Sequence, residues 1–561
     1  MAPESHLLGE ILSIGLFAVI VGLLMLGFPV AFSLGGISLF FAWLGWMLGV
    51  FDLNFLNALP TRFWGVMNNE VLVAVPLFVF MGVMLERSRI AEVLLTTMGQ
   101  LFGGVRGGLG YSVIIVGTLL AASTGIVGAT VVTMGLLSLP AMMRAGYDPK
   151  LATGIICASG TLGQIIPPST VLIFIGDILQ GANQQAQLEL GNFAPTTVSV
   201  GDLFAGAFIP GLLLSGLYMV WVFIRGMHDR NSCPPLAMTA DEKSGLGRRV
   251  IIALIPPIFL IIAVLGSILG GIATPTESAS VGALGAIFLT VVKILADKLA
   301  NAETQIQLER QLAVFWIGFI AALSGIGYIW GATGLLTALL VVIGLGSLVI
   351  LGMSGTRPEF VRVLKEVSRT TMSITSMVFV ILMGASVFSL VFRGLGGEYL
   401  VHDALDNMPG GDTMALFVVR AVMFALGFFL DTFEIIFITV PIAGPILLKM
   451  GFDPIWLGVL MGVNLQTSFL TPPFGFALFY LRGVAPRSIT TQTIYKGIIP
   501  FVGIQVLVMV LMWEFPALAT WLPNQIYGVD PNNVPTYQSL PTDFLEPPDD
   551  PPDDPPAEEE G

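Results

Sequence analysis

A polar passage broken by proline interrupts an otherwise apolar stretch: Gly160, Thr161, Leu162, Gly163, Gln164, Ile165, Ile166, Pro167, Pro168 and Ser169. It returns later as Asn464, Leu465, Gln466, Thr467, Ser468, Phe469, Leu470, Thr471, Pro472, Pro473, Phe474 and Gly475. Gly146, Tyr147, Asp148 and Pro149 precede the first copy; Gly451, Phe452, Asp453 and Pro454 precede the second. The offset from Gly146 to Gly451 is 305 positions, and it also relates Asp148 to Asp453, Pro149 to Pro454, Pro167 to Pro472, Pro168 to Pro473 and Pro140 to Pro445. Six matches in one ungapped register mark an internal duplication, and its two copies are expected to carry the function.

The solvent around this duplication is a bilayer. Of 561 residues, 55% are hydrophobic and 11% charged, against about 25% charged in soluble domains. Mean hydropathy is +0.88. The apolar runs are continuous rather than alternating, which excludes a β-barrel. The expected fold class is an all-α polytopic membrane protein with about 12–14 transmembrane segments. The net charge of −13 misleads, because ten of the 37 acidic residues lie from Asp530 onward with no Lys or Arg among them. The remaining 27 acidic residues nearly balance 24 basic ones. No nucleic-acid partner is expected; the lipid bilayer is. Cys157 and Cys233 have no metal-ligand spacing, and His6, His228 and His402 lie in polar or terminal segments. The first apolar run outlasts the core of a signal peptide and lacks a clear small-residue cleavage site, so no cleavable leader is expected.

Along the chain, residues 1–225 read as a first repeat and 250–521 as a second, joined by a polar loop over 226–249. Arg230, Lys243, Arg248 and Arg249 in that loop, with Arg225 at its edge, make it the best cytoplasmic candidate. Helices are expected at 11–27 and 30–49, an interfacial stretch with Arg62 and Trp64 at 51–70, and an amphipathic surface helix at 86–92. The run from Gly107 to Met143 exceeds the roughly 20 residues of one span, so a break is expected near Ser123, Thr124 and Gly125. An apolar pair at about 312–353 is inserted in the second repeat, and the acidic, proline-rich residues 522–561 read as a disordered tail.

A half-helix of about ten residues is about 15 Å long, half of the roughly 30 Å hydrocarbon core. Residues 150–160 can therefore descend to mid-membrane and 168–180 return, with a matching hairpin at about 455–482. Pro168 and Pro473 read as helix starts, where a missing N–H costs little. Irregular backbone at the tips must be buried in protein or face a wet cavity. Free N–H groups at the half-helix starts favour an anionic group, while carbonyls and the polar side chains of Ser159, Thr161, Asn464, Thr467 and Thr471 suit Na⁺. The expected substrate and ion site comprises Ser123 and Thr124 at the break, then Ser159, Gly160, Thr161, Gly163, Pro167, Pro168 and Ser169 in the first hairpin. From the second half it takes Asp431, Thr432, Asn464, Gln466, Thr467, Thr471, Pro472, Pro473 and Gly475. Na⁺ is expected at the hairpin tips and no other cofactor. Glu277, Glu434 and Arg393 read as caps or anchors, and Asp177 as interfacial. No catalytic residues are expected: there is no His-Glu-x-x-His and no intramembrane His or Cys pair.

Pro76 to Gly82, Ile165 to Ser169, Thr274 to Glu277, Phe429 to Thr432 and Asn464 to Pro473, in this order and spacing, resemble the large permease subunit of TRAP (tripartite ATP-independent periplasmic) transporters. The resemblance covers most of residues 10–295 and 357–520. It implies a secondary transporter of the bacterial inner membrane, with inverted repeats, a scaffold, and a mobile elevator domain holding both hairpins. Na⁺ coupling, a small membrane subunit and a periplasmic substrate-binding protein are further implications. The long form is similar to the branch associated with mannitol or chloroaromatic compounds, whose relatives handle 2-oxo acids and related carboxylates. A small organic anion is the implied cargo. The 312–353 pair and the tail depart from the usual pattern. A carrier of Na⁺/H⁺ or citrate type working without a binding protein is the alternative, and an intramembrane enzyme a remote one.

Overall fold

The computed structural model describes residues 3–125, 127–193, 195, 197–235, 246–298, 357–473 and 475–528. The expected pair at 312–353, Lys243 in the basic loop, and the tail beyond Gly528 lie outside these. The described residues are helical with no strand, and nine of their helices are long and apolar enough to cross a membrane. Three shorter apolar helices accompany them, among them Pro454–Leu470. The expected 12–14 segments refer to the whole chain, including the pair at 312–353 outside the described residues, and breaks divide some apolar runs into pieces below spanning length.

Two sets of helices pack mainly among themselves. One comprises Pro3–Met25, Val30–Met47, Ala74–Arg87, Leu246–Leu269, Pro275–Lys298 and the long Arg357–Gly394. The other comprises Gly108–Thr124, Val127–Arg144, both proline-broken passages, Val200–His228, Gly411–Leu426, Thr432–Lys449, Thr491–Glu514 and Ala517–Tyr527. Short helices Ile90–Phe102 and Gly397–Asp406 touch both sets. No separate helix forms at 86–92: Ala74–Arg87 ends there, and Arg89 takes a left-handed φ of 61° before Ile90.

The duplication is visible in three dimensions. Val127–Arg144 and Thr432–Lys449 each have 18 residues, and both ends are related by the same offset as the prolines. Gly146 and Gly451 then turn the chain with φ of 82° and 89°, values glycine adopts without a Cβ penalty. Asp148 and Asp453 cap the next helices by accepting from Lys150 N at 3.0 Å and Trp456 N at 2.8 Å, and Pro149 and Pro454 occupy the first turn.

The arms are less alike than expected. The first passage consists of Pro149–Thr161, a 3-10 turn at Leu162–Gln164, and Thr170–Glu189; the second of Pro454–Leu470 and Phe476–Val484. With 13 and 17 residues, the descending helices are about 20 and 26 Å long, more than half a hydrocarbon core. The first returning helix runs past 180 to Glu189, because Gly181 onward is rich in helix-forming Gln and Ala and buries Ala182, Asn183 and Ala186. Pro168 and Pro473 are not in the first helical turn. Ser169 and Gly475 stand between them and the helices as N-caps. Residues 522–527, expected in the disordered tail, are instead helical: Ala517–Tyr527 packs on Val200–His228, and Tyr527 Oη donates to Ile268 O at 3.0 Å.

The returning arms cross between repeats. Thr170–Glu189 packs on Thr432–Lys449, with Phe174 edge-on to Phe433 and Phe437 at centroid distances of 5.2 and 5.1 Å. Phe476–Val484 packs on Val127–Arg144, where Gly128 leaves room for the Tyr480 ring. At the end of the first crossing Lys449 pairs with Glu189 and lies 3.4 Å from His402 Nε2, whose Nδ1 is 2.8 Å from Asp406. Asp177 accepts from Asn69 Nδ2 at 2.8 Å, tying the first returning arm to the segment before Ala74–Arg87. Glu277 and Thr274 form a reciprocal cap, and Arg393 pairs with Glu398 at 2.6 Å, as their structural reading expects.

Two glycines set how closely the first descending arm approaches Thr491–Glu514. A Cβ at Gly154 would lie 2.3 Å from Gly497 O, and one at Gly497 would lie 2.1 Å from Lys150 O. Gly154→Ala or Gly497→Ala is expected to destabilise the purified protein by about 1–3 kcal/mol. Gly503→Ala on the same helix, with nothing within 4 Å, is expected to be neutral or stabilising by up to about 1 kcal/mol. Thermal unfolding in detergent reads both, and equal behaviour of the three variants would refute the close contact. The second expectation concerns pH. The hydrogen bond from Lys449, followed by that from Gln185, holds the Glu189 carboxyl below its usual range. A carboxylate depressed in the folded state adds stability above its ordinary titration range and loses it as pH falls through the folded value. Glu189→Gln is therefore expected to be less stable than the wild type at neutral pH, with the difference shrinking as pH falls below the ordinary carboxylate range. With Glu189 41% exposed, the difference stays below about 1 kcal/mol.

Candidate functional site

The two tips, and the two breaks in the helices beside them, come together within the second set of helices. The first descending arm is buried along its length from Leu151 to Thr161, and burial continues through Pro167, Pro168 and Ser169. A buried irregular turn must satisfy its own polar groups. Ser169 does this twice: its Oγ donates to Gln164 O at 2.7 Å and accepts from Leu172 N at 3.4 Å, capping Thr170–Glu189. Thr170 Oγ1 donates to Gly125 O at 3.0 Å. Gly125, with φ of 60°, lies in the expected break between Gly108–Thr124 and Val127–Arg144. The start of the returning arm is thus tied to the first break.

The second break follows Gly411–Leu426. Asp431 stands at the N-cap of Thr432–Lys449, and Glu434 Oε2 accepts from Asp431 N at 3.1 Å. Glu434 is therefore a cap, as read from sequence. Gly427 meets the second descending arm so closely that a Cβ there would lie 2.1 Å from Ser468 Oγ. Asn464 Nδ2 donates to Arg420 O at 3.0 Å, tying the arm to Gly411–Leu426. The second tip is more open: Thr471 and Pro472 are half-buried and Pro473 is exposed. Tyr495 Oη donates to Pro473 O at 2.6 Å, and Gly475 offers the following helix no side-chain cap. The Pro167–Pro168 and Pro472–Pro473 peptides are both cis.

Two hydrogen bonds cross between the repeats at the tips. Gln466 Nε2 donates to Thr161 Oγ1 at 3.3 Å, joining positions that are themselves 305 residues apart. Gln164 Nε2 donates to Thr432 Oγ1 at 2.8 Å. Thr161, Thr467 and Thr471 donate their hydroxyl protons to Ala158 O, Val463 O and Thr467 O at 2.9, 2.8 and 2.7 Å. These hydroxyls are engaged with their own helices rather than fully free, and their oxygens remain as acceptors. Ser159 faces Gly117, and its Oγ is buried without a partner. Gly160 lies against Val131 and Gly163 against Ala121, both without room to spare for a large side chain. Ser123 and Thr124 end Gly108–Thr124, and their side chains lie outside the described residues.

Gln164 is the residue that sequence reasoning passed over. Its signal was available: an amide inside an apolar membrane segment is costly unless used. Thr170 and Tyr495 carried no comparable signal, because their partners are backbone carbonyls distant in sequence.

Among models of known families, residues 17–356 and 338–518 match the Tripartite ATP-independent periplasmic transporter, DctM component. The chain belongs to this family. It is a TRAP large permease, a multi-pass membrane protein of a system that also has a small membrane subunit and a periplasmic binding protein. The C4-dicarboxylate TRAP transporter large permease protein DctM of Vibrio cholerae is 27% identical over 526 residues, covering 91% of this chain and 98% of that protein. The sialic acid TRAP large permease SiaM of Vibrio cholerae is 25% identical over 508 residues, covering 91% and 97%. The ectoine TRAP large permease TeaC of Halomonas elongata is 24% identical over 505 residues, covering 90% and 97%. A solved structure of the Alcanivorax borkumensis YdaH transporter aligns with a TM-score of 0.47 at 16% identity, over 82% of this TRAP permease and 89% of that chain.

Ser169 holds both the tip and the helix start. Ser169→Ala is expected to cost about 1–2 kcal/mol, read as a lower unfolding temperature in detergent. Ser169→Thr, which keeps the hydroxyl, is expected to recover most of it. Equal stability of Ser169→Ala and wild type would show that the hydroxyl does not close the tip.

Proposed function

We propose that this TRAP permease imports a small organic anion bearing a carboxylate, coupled to Na⁺, by an elevator movement of the helices that hold the two tips. The observation that carries the reading is the meeting of two proline-broken tips through cross-repeat hydrogen bonds between Gln466 and Thr161 and between Gln164 and Thr432. The helices beginning at Thr170 and Phe476 have unpaired first-turn N–H groups, as every helix start does, and these favour a carboxylate. The relatives named for C4-dicarboxylate, sialic acid and ectoine take chemically different cargoes, yet each of those compounds carries a carboxylate.

The donor set fits Na⁺. Thr467 and Thr471 have their hydroxyl protons directed to helix carbonyls, which leaves oxygen lone pairs for a hard cation. Ser159 Oγ adds a buried oxygen without a partner. When bound, the ion would supply positive charge beside the site; the chain's own part is to hold the oxygens and exclude lipid. Support for an elevator comes from the two helix sets, joined by the short helices Ile90–Phe102 and Gly397–Asp406. Such joints let one set move past the other without breaking its packing.

The test is uptake into proteoliposomes containing the permease and its small subunit, with the binding protein and labelled carboxylate outside. An inward Na⁺ gradient is expected to drive accumulation, and removal of either the gradient or the binding protein is expected to abolish it. Uptake driven only by a proton gradient would overturn the Na⁺ reading. Uptake by this chain alone would instead favour a carrier that works without a binding protein.

A further inference from the structure

Ala74–Arg87 belongs to the first set of helices, where it packs on Pro275–Lys298 and Arg357–Gly394, yet hydrogen bonds tie both of its ends to the second set. Ahead of its start, Asn69 Nδ2 donates to Asp177 Oδ1 at 2.8 Å. In its last turn, Glu86 Oε1 accepts from Thr133 Oγ1 at 3.2 Å. Both bonds are directed. Asn69 Oδ1 accepts from Val71 N at 2.9 Å and Leu72 N at 3.4 Å, so the amide is held with its NH₂ toward Asp177. Thr153, Thr290 and Thr467 send their hydroxyl protons to the carbonyl four residues earlier in their own helices, whereas Thr133 sends its proton to Glu86. Asp177 and Glu86 are half-buried carboxylates, costly in apolar segments unless they are used.

The two partners in the second set share an origin. Asp177 lies about two turns into Thr170–Glu189, and Thr133 about two turns into Val127–Arg144. Thr170 Oγ1 joins the starts of these helices by donating to Gly125 O at 3.0 Å, in the break just before Val127–Arg144. From this one junction beside the first tip, the two ties reach the two ends of a helix about 21 Å long. A hydrogen bond is lost once donor and acceptor part beyond about 3.5 Å, and one helical turn is about 5.4 Å. This pairing of partners therefore exists at one position of the second set along Ala74–Arg87, and a slide of a single turn removes both bonds. Tyr527 Oη adds a further direct bond between the sets, to the main-chain oxygen of Ile268.

We propose that Asn69–Asp177 and Thr133–Glu86 form a two-point latch that holds the second set, with its tips, at one position of its travel past Ala74–Arg87. The latch biases the permease toward the orientation seen in this structure, and both bonds open before the set moves. The inference rests on the elevator movement proposed above and is independent of the cargo and of Na⁺.

The test reads the distance between the sets. Exposed Met47 in the first set and exposed Ala517 in the second are changed to cysteine and spin-labelled in the full-length permease with its small subunit, in lipid nanodiscs. Cys157 and Cys233 are buried and stay in place. Double electron–electron resonance of the labelled parent is expected to show one dominant distance. Asn69→Asp keeps an acceptor for Val71 N and Leu72 N but turns a carboxylate toward Asp177, and is expected to raise the population of a second distance about tenfold. Thr133→Val, which removes only the donor, is expected to raise it about threefold. Asn69→Asp combined with Asp177→Asn rebuilds the bond with donor and acceptor exchanged, and is expected to restore the parent's distribution. Parent-like distributions in Asn69→Asp and Thr133→Val, where the second distance does appear on adding NaCl and succinate, would overturn the latch and leave the movement standing. Two equally populated distances in the parent would do the same. A single distance in every variant and with every addition would remove the movement, and the latch with it. A broadened distribution and a lower unfolding temperature in Asn69→Asp that the exchange does not repair would make Asn69 a structural cap and overturn its part in a latch.

Discussion

Backbone that is neither helix nor sheet has no place in a bilayer unless protein surrounds it and satisfies its polar groups. In this permease that requirement falls on two proline-broken tips and two breaks between helices, and each supplies part of what another needs. Ser169 closes the first tip, Thr170 ties it to Gly125, and Gln164 reaches Thr432 beyond the second break. Gln466 returns the favour across the repeats to Thr161. The irregular segments are stable because they are assembled together, and the second set of helices is packed around that assembly.

Much of this was legible in the sequence because proline and glycine act locally. A Gly-aromatic-Asp-Pro string dictates a turn, a cap and a helix start without reference to the rest of the chain, and Asp148 and Asp453 do as the string implies. The break near Gly125 was legible for a similar reason: the apolar run was too long to be one span. Partners distant in sequence were not legible. Nothing near Thr170 announces Gly125, and nothing near Tyr495 announces Pro473.

Arm lengths depart from the sequence expectation where composition and context compete. Gly181 to Glu189 is polar enough to read as a loop, yet its residues favour helix and one face packs against protein. The same competition makes residues 522–527 helical, since Ala519 and Pro523 are buried within Ala517–Tyr527. Among the candidate site residues, the prolines, glycines and hydroxyls stood out because they violate the apolar pattern. Gln164 violates it equally, but its partner Thr432 lies 268 residues away.

The crossing of the returning arms has a thermodynamic consequence. Each arm leaves the tip of its own repeat and packs against the helix that follows the break in the other. A solute that tightened one tip would therefore act on the packing beneath the other, and the free energy of that influence would be the same whichever solute bound first. Two solutes held at these tips would thus be linked by the packing itself, without any relay through moving loops. Interdependence of occupancy would then follow from how the duplicated halves are interleaved, and separate half-sites on independent bodies would lack it.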